Sequence, residues 1–416
     1  MKLGFLGLFG MVLSLRAHIC ANTVDTKSLL QKMTDARLQF ALNLLQMEST
    51  HLNLENFAMT PFSTWSLMIM FYEGAEGTTL KQIRDVLAIY VDYPTLRRWY
   101  EDVRAYHYLN SENTKLFSLR YAYYDDVGDL ELVKGYNSVV LEGVGEGNVV
   151  LREGRPRGVD FDQGASIIIN DDIDKASHAK IFSSYSRRSF NSTVTVLGIT
   201  VSYFKAKWKY PFDKSQTKVE QFYNAGGSPA GKVEMMVQTG KYAYVNNVKG
   251  LQADVLELPF GEHELVMIVI LPKPSQRVSL VLKQLKNLGL HRLLEELEAS
   301  KNESDVEVKL PKFDTRSVLS LEDTVYEAGL TDLRNEFADL GRMLIPTGDR
   351  GAYLSLYHQF ARIVVDEEGL PNAVPQKSSG TNNIKFHINR PFAYLVLQRT
   401  HKLLIHSGVF REGEIQ

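Results

Sequence analysis

The chain has 416 residues, 44% of them hydrophobic and 23% charged, with a formal net charge of −2. This is the composition of an ordinary globular protein with enough apolar residues for a sizeable core, and the length allows two or three small domains or one large one. A charge so near zero excludes bulk attraction to nucleic acid or an anionic membrane, leaving only a local patch to supply either.

At the N-terminus Lys2 precedes an apolar run from Leu3 to Leu15, followed by small residues around Cys20-Ala21. The run is too short to span a membrane and carries Gly4, Gly7 and Gly10, so it reads as a secretory signal peptide over residues 1–21 rather than a buried helix. Residues 22–416 then form the mature protein, expected outside the cell and without a membrane span. Cys20 is the sole cysteine, so the mature chain is expected to have neither a disulfide nor a thiol nucleophile. Sequons at Asn191-Ser192-Thr193 and Asn302-Glu303-Ser304 suit an exported glycoprotein.

Apolar residues at helical spacing (Leu38, Ala41, Leu42, Leu45) predict an amphipathic helix over Thr26 to Met47. A short strand and turn at Asn56 to Ser63 lead into an apolar helix, Trp65 to Tyr72. Gly74-Ala75-Glu76-Gly77-Thr78-Thr79 then reads as two glycine stops and a threonine cap for a helix over Leu80 to Leu87. Pro94 to Leu109 predicts a helix carrying Arg97, Arg98 and Arg104, whose charge Glu101 and Asp102 interrupt, so a solvated face is preferred to an anion site. Strands are expected at Leu116 to Tyr124 and Val194 to Trp208, with a surface excursion at Glu142 to Gly158 and a helix from Ile168 between them. In the second strand, alternation sets Phe204, Ala206 and Trp208 on one face and Lys205, Lys207 and Lys209 on the other. An apolar hairpin (Leu251 to Leu258, Leu265 to Leu271), a helix over Val278 to Leu297, a strand at Val306 to Phe313, a helix at Leu321 to Gly329 and a last strand at His401 to Phe410 follow.

Signatures of catalysis are missing. Gly143-x-Gly145-x-Gly147 has no helix pattern after it, and Gly226 to Lys232 has Walker-like spacing but Val233 where a Ser or Thr must hold magnesium. No Gly-x-Ser-x-Gly elbow occurs, and Met267 stands where a zinc helix beginning at His263-Glu264 needs its second histidine. The expectation is a protein that is not an enzyme and uses neither cofactor nor metal.

The most informative stretch is Ala361 to Phe392. Alternating Ala361, Ile363 and Val365 predict a strand, followed by Glu367, Glu368 and the backbone swivel Gly369. Leu370 to Asn383 is polar, aperiodic and holds two prolines, so it reads as an exposed loop. Strands at Ile384 to Ile388 and Ala393 to Leu397 are joined by Asn389-Arg390-Pro391-Phe392. This order resembles the reactive-loop region of the serpins, the serine protease inhibitor family. The same family is resembled by Asn56 to Ser63, with Thr60 for the usual serine, by Gly74 to Thr79, and by Ile169-Asn170 without its tryptophan. Tyr203 to Trp208, Leu258-Pro259-Phe260 and Leu310-Pro311-Lys312-Phe313 are similar to it as well. The resemblance spans nearly the whole mature chain. It implies an α+β serpin fold of three β-sheets and about nine helices: a single monomeric domain with an exposed reactive loop over about 367–384.

In this family, the resemblance implies, a protease cuts the loop and is trapped when the loop inserts as a central strand of the large sheet, releasing strain. Such a strand wants small residues, no proline and enough length. Here Leu370, Pro371, Asn372, Ala373, Val374 and Pro375 follow the hinge Glu367-Glu368-Gly369, and proline is essentially excluded from central strands. Each proline would remove a ladder hydrogen bond, at a cost of about 1 kcal/mol or more. Gly369 to Pro391 is 22 positions (391 − 369), shorter than the resemblance implies for inhibitory members. Counting forward from the hinge sets the scissile bond near Asn383, and counting back from Arg390-Pro391-Phe392 sets it between Lys377 and Gly380. Lys377, the one basic residue of the bare loop, is the candidate cut site for a trypsin-like serine protease, with a solvated loop lysine as the alternative. In the sheet-opening region the resemblance implies that Gln359 replaces a histidine and Thr200 an asparagine. Thr60 and Ser63 keep hydroxyls there, Trp208 keeps its place, and Lys312 pairs with Glu367. The chain is therefore read as a serpin-fold protein whose scaffold is kept and whose spring is lost, acting as a binding or substrate-like protein toward an unknown ligand. A functional protease inhibitor is the alternative, and sulfated-polysaccharide binding through Arg97, Arg98 and Arg104 a third reading.

Overall fold

The most apolar of the described helices, α2 (Pro61–Gly74), is buried along its whole length. A helix apolar on every side belongs inside a core, and Pro61 starts it at the first helical position, where a missing N–H costs nothing. The computed structural model describes residues 5–127, 130–136, 154–181, 185–301, 305–374, 384–413 and 415, with the side chains of 5–27 and 154–155 left aside. Eight α-helices occur among the described residues: α1 (Phe5–His51), α2, α3 (Gly77–Leu87), α4 (Tyr93–Arg104), α5 (Ala165–Ala176), α6 (Val278–Leu288), α7 (Leu290–Ala299) and α8 (Glu322–Glu327).

Two sheets enclose α2. The first, here the large sheet, runs β13 (Phe313–Ser320), β15 (Leu354–Val365), β6 (Val196–Ala206), β3 (Thr114–Asp125), β2 (Tyr108–Asn110), with β5 (Gly154–Val159) also paired to β3. The second runs β1 (Phe57–Met59), β18 (Leu403–Phe410), β17 (Phe392–Gln398), β11 (Leu265–Pro272), β10 (Ala253–Pro259), β9 (Ala243–Val245). A third, four-stranded sheet runs β16 (Ile384–His387), β12 (Asp305–Pro311), β8 (Pro229–Lys241), β7 (Lys218–Tyr223), and β4 (Leu130–Leu132) pairs with β14 (Leu344–Pro346). One face of α2 meets β3 and β6 and the other meets β18.

Several expected elements differ. The helix expected over Val278 to Leu297 is broken into α6 and α7 by Gly289, whose φ of 82° no helix accommodates. Thr79 does not cap α3, which Glu76 precedes without a side-chain bond; it is buried, and its hydroxyl accepts the Asp339 N–H at 2.9 Å. The helix from Pro94 stops at Arg104, so Tyr108–Asn110 is free to join β3 as an edge strand. The strand expected at Val306 to Phe313 divides at Lys312, β12 and β13 entering different sheets. Of the excursion at Glu142 to Gly158, the end forms β5 and the rest lies outside the described residues.

Two histidines are sealed in the core. His406 takes Ser202 Oγ at 2.8 Å on Nε2, and burial pulls its pKa down to about 3. His107 stacks on Phe62 at 4.4 Å and meets Ser66 Oγ (3.0 Å) and Tyr100 Oη (3.1 Å); burial, then the nearby Arg120, holds it well below the usual histidine range. Unfolded histidines protonate near pH 6.5 while these stay neutral, so the unfolded state binds more protons and stability falls with pH below that point. The expected slope is about 1.4 kcal/mol per pH unit for each histidine. Denaturant unfolding at pH 7, 6 and 5 should show this acid weakening, and His406→Gln should make it visibly shallower; equal slopes would contradict the account.

Candidate functional site: the loop root and the sheet seam

The segment leaving β15 is tied down residue by residue. Trp208 Nε1 donates to the Asp366 carbonyl (2.7 Å), Phe212 N–H to that of Glu367 (3.1 Å) and Trp208 N–H to that of Glu368 (2.8 Å). Leu370 N–H returns a bond to the Trp208 carbonyl at 3.0 Å, so Gly369 pairs in parallel with Trp208 and carries the ladder one step past β6. Only glycine fits there, since a Cβ would lie 2.6 Å from Pro211 Cβ. Lys205 Nζ holds Asp366 at 2.7 Å and Glu368 at 3.4 Å, and Lys312 Nζ lies 3.4 Å from Glu367 and 3.6 Å from Glu234. Burial alone would lower both lysines, but the carboxylates outweigh it and hold them above the usual range. Thr217 Oγ1 donates to the buried Glu367 carboxylate at 3.0 Å.

Directly after Gly369 the chain reverses. Ala373 N–H donates to the Leu370 carbonyl at 3.0 Å across Pro371 and Asn372, and Asn372 has a φ of 64°. Proline with its φ preset, then a residue at positive φ for which asparagine is the best substitute for glycine, is the arrangement of a type II turn. Leu370 lies against Gly261, where an added Cβ would come within 2.3 Å of Leu370 Cδ2.

Below the hinge, β15 and β6 run side by side in parallel, from Leu354 opposite Val196 to Val364 opposite Lys205. A strand added between them must part this seam. Gln359 stands opposite Thr200 and is fully buried. Its Oε1 accepts the Thr60 N–H at 2.6 Å, and its amide N–H groups share Thr64 Oγ1 (3.0 Å), Thr200 Oγ1 (3.0 Å) and the Thr60 carbonyl (3.3 Å). Tyr357 Oη closes the ring by donating to Thr64 Oγ1 at 2.8 Å, with Thr200 Oγ1 at 3.2 Å. A buried amide satisfied on both ends ties β15, β6 and α2 together.

Thr60 takes part through its backbone, its hydroxyl having no partner among the described residues. Ser63 turns instead to Ser118 Oγ at 2.6 Å and does not reach Gln359. Trp208 stacks on Phe260 at 4.4 Å. Arg97 grips the buried Glu73 with both nitrogens (3.0 and 2.7 Å), so of the three α4 arginines this one is already committed; Arg98 reaches Thr95 at 3.5 Å and Arg104 ends the helix. The Gly226 to Lys232 stretch spans the end of the β7–β8 turn and the first residues of β8, with no helix after it. Asn191 is exposed, its Oδ1 accepting the Thr193 N–H at 3.0 Å. Pro375, Lys377 and Asn302 lie outside the described residues. Thr64 and Tyr357 were missed by sequence reasoning, although Tyr357 shares a strand face with Gln359 by simple alternation. Gln359→Ala leaves the Thr60 N–H buried without a partner and takes one of two partners from each of the Thr64 and Thr200 hydroxyls, and is expected to cost about 2–4 kcal/mol in denaturant unfolding; an unchanged midpoint would contradict the network.

The serpin (serine protease inhibitor) family model matches residues 35–412. Antithrombin-III of Mus musculus is 26% identical over 387 residues, covering 91% of this chain and 81% of that protein. Serpin B3 of Homo sapiens is 26% identical over 425 residues, covering 92% and 99%. The structure of human thyroxine-binding globulin complexed with thyroxine superposes with a TM-score of 0.75 at 20% identity, over 92% of this chain and 98% of that one. Uncleaved ovalbumin does so with a TM-score of 0.76 at 19% identity, over 91% and 99%. Likeness at such identities speaks for the fold alone. With the family match running from α1 to the end of β18 and beyond, this chain belongs to the serpin family.

Proposed function

We propose that this serpin is a secreted, glycosylated protein that does not trap proteases, and that it acts as a binding or substrate-like protein. The observation that carries this reading is the Leu370–Ala373 turn. Insertion would begin at this point, and it would have to unfold the turn, withdraw Leu370 from Gly261 and place Pro371, which has no N–H, inside a central strand. Asn372, now exposed, would be carried into the sheet. Members of the family do both kinds of work: it includes inhibitors, and thyroxine-binding globulin is by its name a ligand carrier. Such a protein carries out no catalysis of its own. Export rests on the leader read over residues 1–21, and Asn191 offers an exposed sequon. The commitment of Arg97 to Glu73 weighs against polysaccharide binding along α4.

A second reading, a working inhibitor cut at Lys377, draws support from the parallel step between Gly369 and Trp208, which already leads the hinge into the ladder. Mixing the protein with an equimolar trypsin-like protease separates the two. The expected result on a denaturing gel is a clipped chain and free protease. A covalent complex that survives denaturation would establish the inhibitor.

A further inference from the structure

The seam between β15 and β6 is also fastened from its outer face, by residues that touch neither the hinge nor Gln359. Asn170 on α5 brackets the Tyr185 backbone, its Nδ2 donating to the carbonyl at 2.9 Å and its Oδ1 accepting the N–H at 3.2 Å. Tyr185 lies against β15, its ring edge-on to Phe360 at 5.7 Å and tilted on Phe190 at 4.8 Å. Its hydroxyl meets His358 Nδ1 at 2.5 Å, and His358 Nε2 lies 3.4 Å from the Glu322 carboxylate at the start of α8. Arg362 on β15 adds a bond to the Lys180 carbonyl at 2.8 Å. Meanwhile α5 is moored to β3, where Tyr123 Oη donates to Asp172 at 2.9 Å. The strand order places β6 between β3 and β15, so this tie passes over β6 and over the seam itself.

We infer that the Tyr185–His358–Glu322 chain is a latch that sets how often the seam opens. His358 stands directly opposite Ile199 of β6, so parting the strands moves it away from β6 and from α5 behind it. The contact between the Tyr185 hydroxyl and His358 Nδ1 joins the segment ahead of β6 to β15 and is the one that opening would break, while Glu322, two residues after the Ser320 that pairs with His358, braces the ring from β15's own side. Asn170 fixes the near end, which turns a surface contact into a staple. The latch is a property of the uncut protein and holds whether or not a cut loop inserts.

Amide hydrogen exchange on the full, uncut chain tests it, with Tyr185→Phe and Glu322→Ala as variants. Tyr185→Phe keeps the ring packing on Phe360 and Phe190 and deletes only the hydroxyl. Amides of β15 and β6 along the seam should exchange about three- to tenfold faster in each variant, the range expected for losing one such bond. Amides of β10, β11 and β17 should keep their rates. Unchanged seam exchange in both variants would overturn the latch, and so would equal acceleration of both sheets, which marks general destabilisation.

Discussion

Everything this fold does about its loop depends on one pair of parallel strands remaining in contact. In the large sheet β15 and β6 bond directly along their length, and the hinge prolongs that ladder only as far as Gly369 beside Trp208. Parallel neighbours can be parted without unfolding either strand, because the chain between them runs elsewhere. The energetic question is what is lost on parting. Here the answer is large on the buried side. Gln359 satisfies its amide entirely with Thr60, Thr64 and Thr200, so opening would strand polar groups in an apolar core unless an incoming strand replaced every bond.

The hinge adds a second barrier of a different physical kind. Its charges are matched, Lys205 holding Asp366 and Glu368 and Lys312 holding Glu367 and Glu234. One residue later the backbone turns round on Pro371 and Asn372. A turn is a local structure, settled by dihedral preferences and one hydrogen bond, and undoing it returns nothing until several strand bonds have formed. Proline at 371 forfeits one of those bonds in advance. The loop is thus opposed where it starts, before its length or its cut site matters.

Much of this was legible in the sequence, and the limits are instructive. Elements with strict alternation or heavy apolar runs, such as Leu265 to Leu271 and the strand ending at Trp208, were found because one periodicity suffices. Gly289 looked like an ordinary residue within a helical pattern; only its positive φ reveals two helices. The prolines signalled a loop that resists insertion, but that Pro371-Asn372 forms a turn against Gly261 depends on a contact more than a hundred positions away. By the family resemblance Gln359 replaces a histidine. The structure shows a replacement with its own complete set of partners, and no single-position reading can foresee Thr64, which belongs to another element. Lys377 and Pro375 lie outside the described residues, so the cut site rests on the sequence alone.

The most direct measurement of the central claim is the thermal unfolding midpoint of the protein before and after a single nick in the loop, with the cut located by mass spectrometry between Leu370 and Asn383. A seam that stays shut predicts the same midpoint in both forms, since the cut by itself neither adds nor removes a strand. A large upward shift after the confirmed cut would mean that the loop had entered the sheet, and would contradict the account of both the turn and the seam.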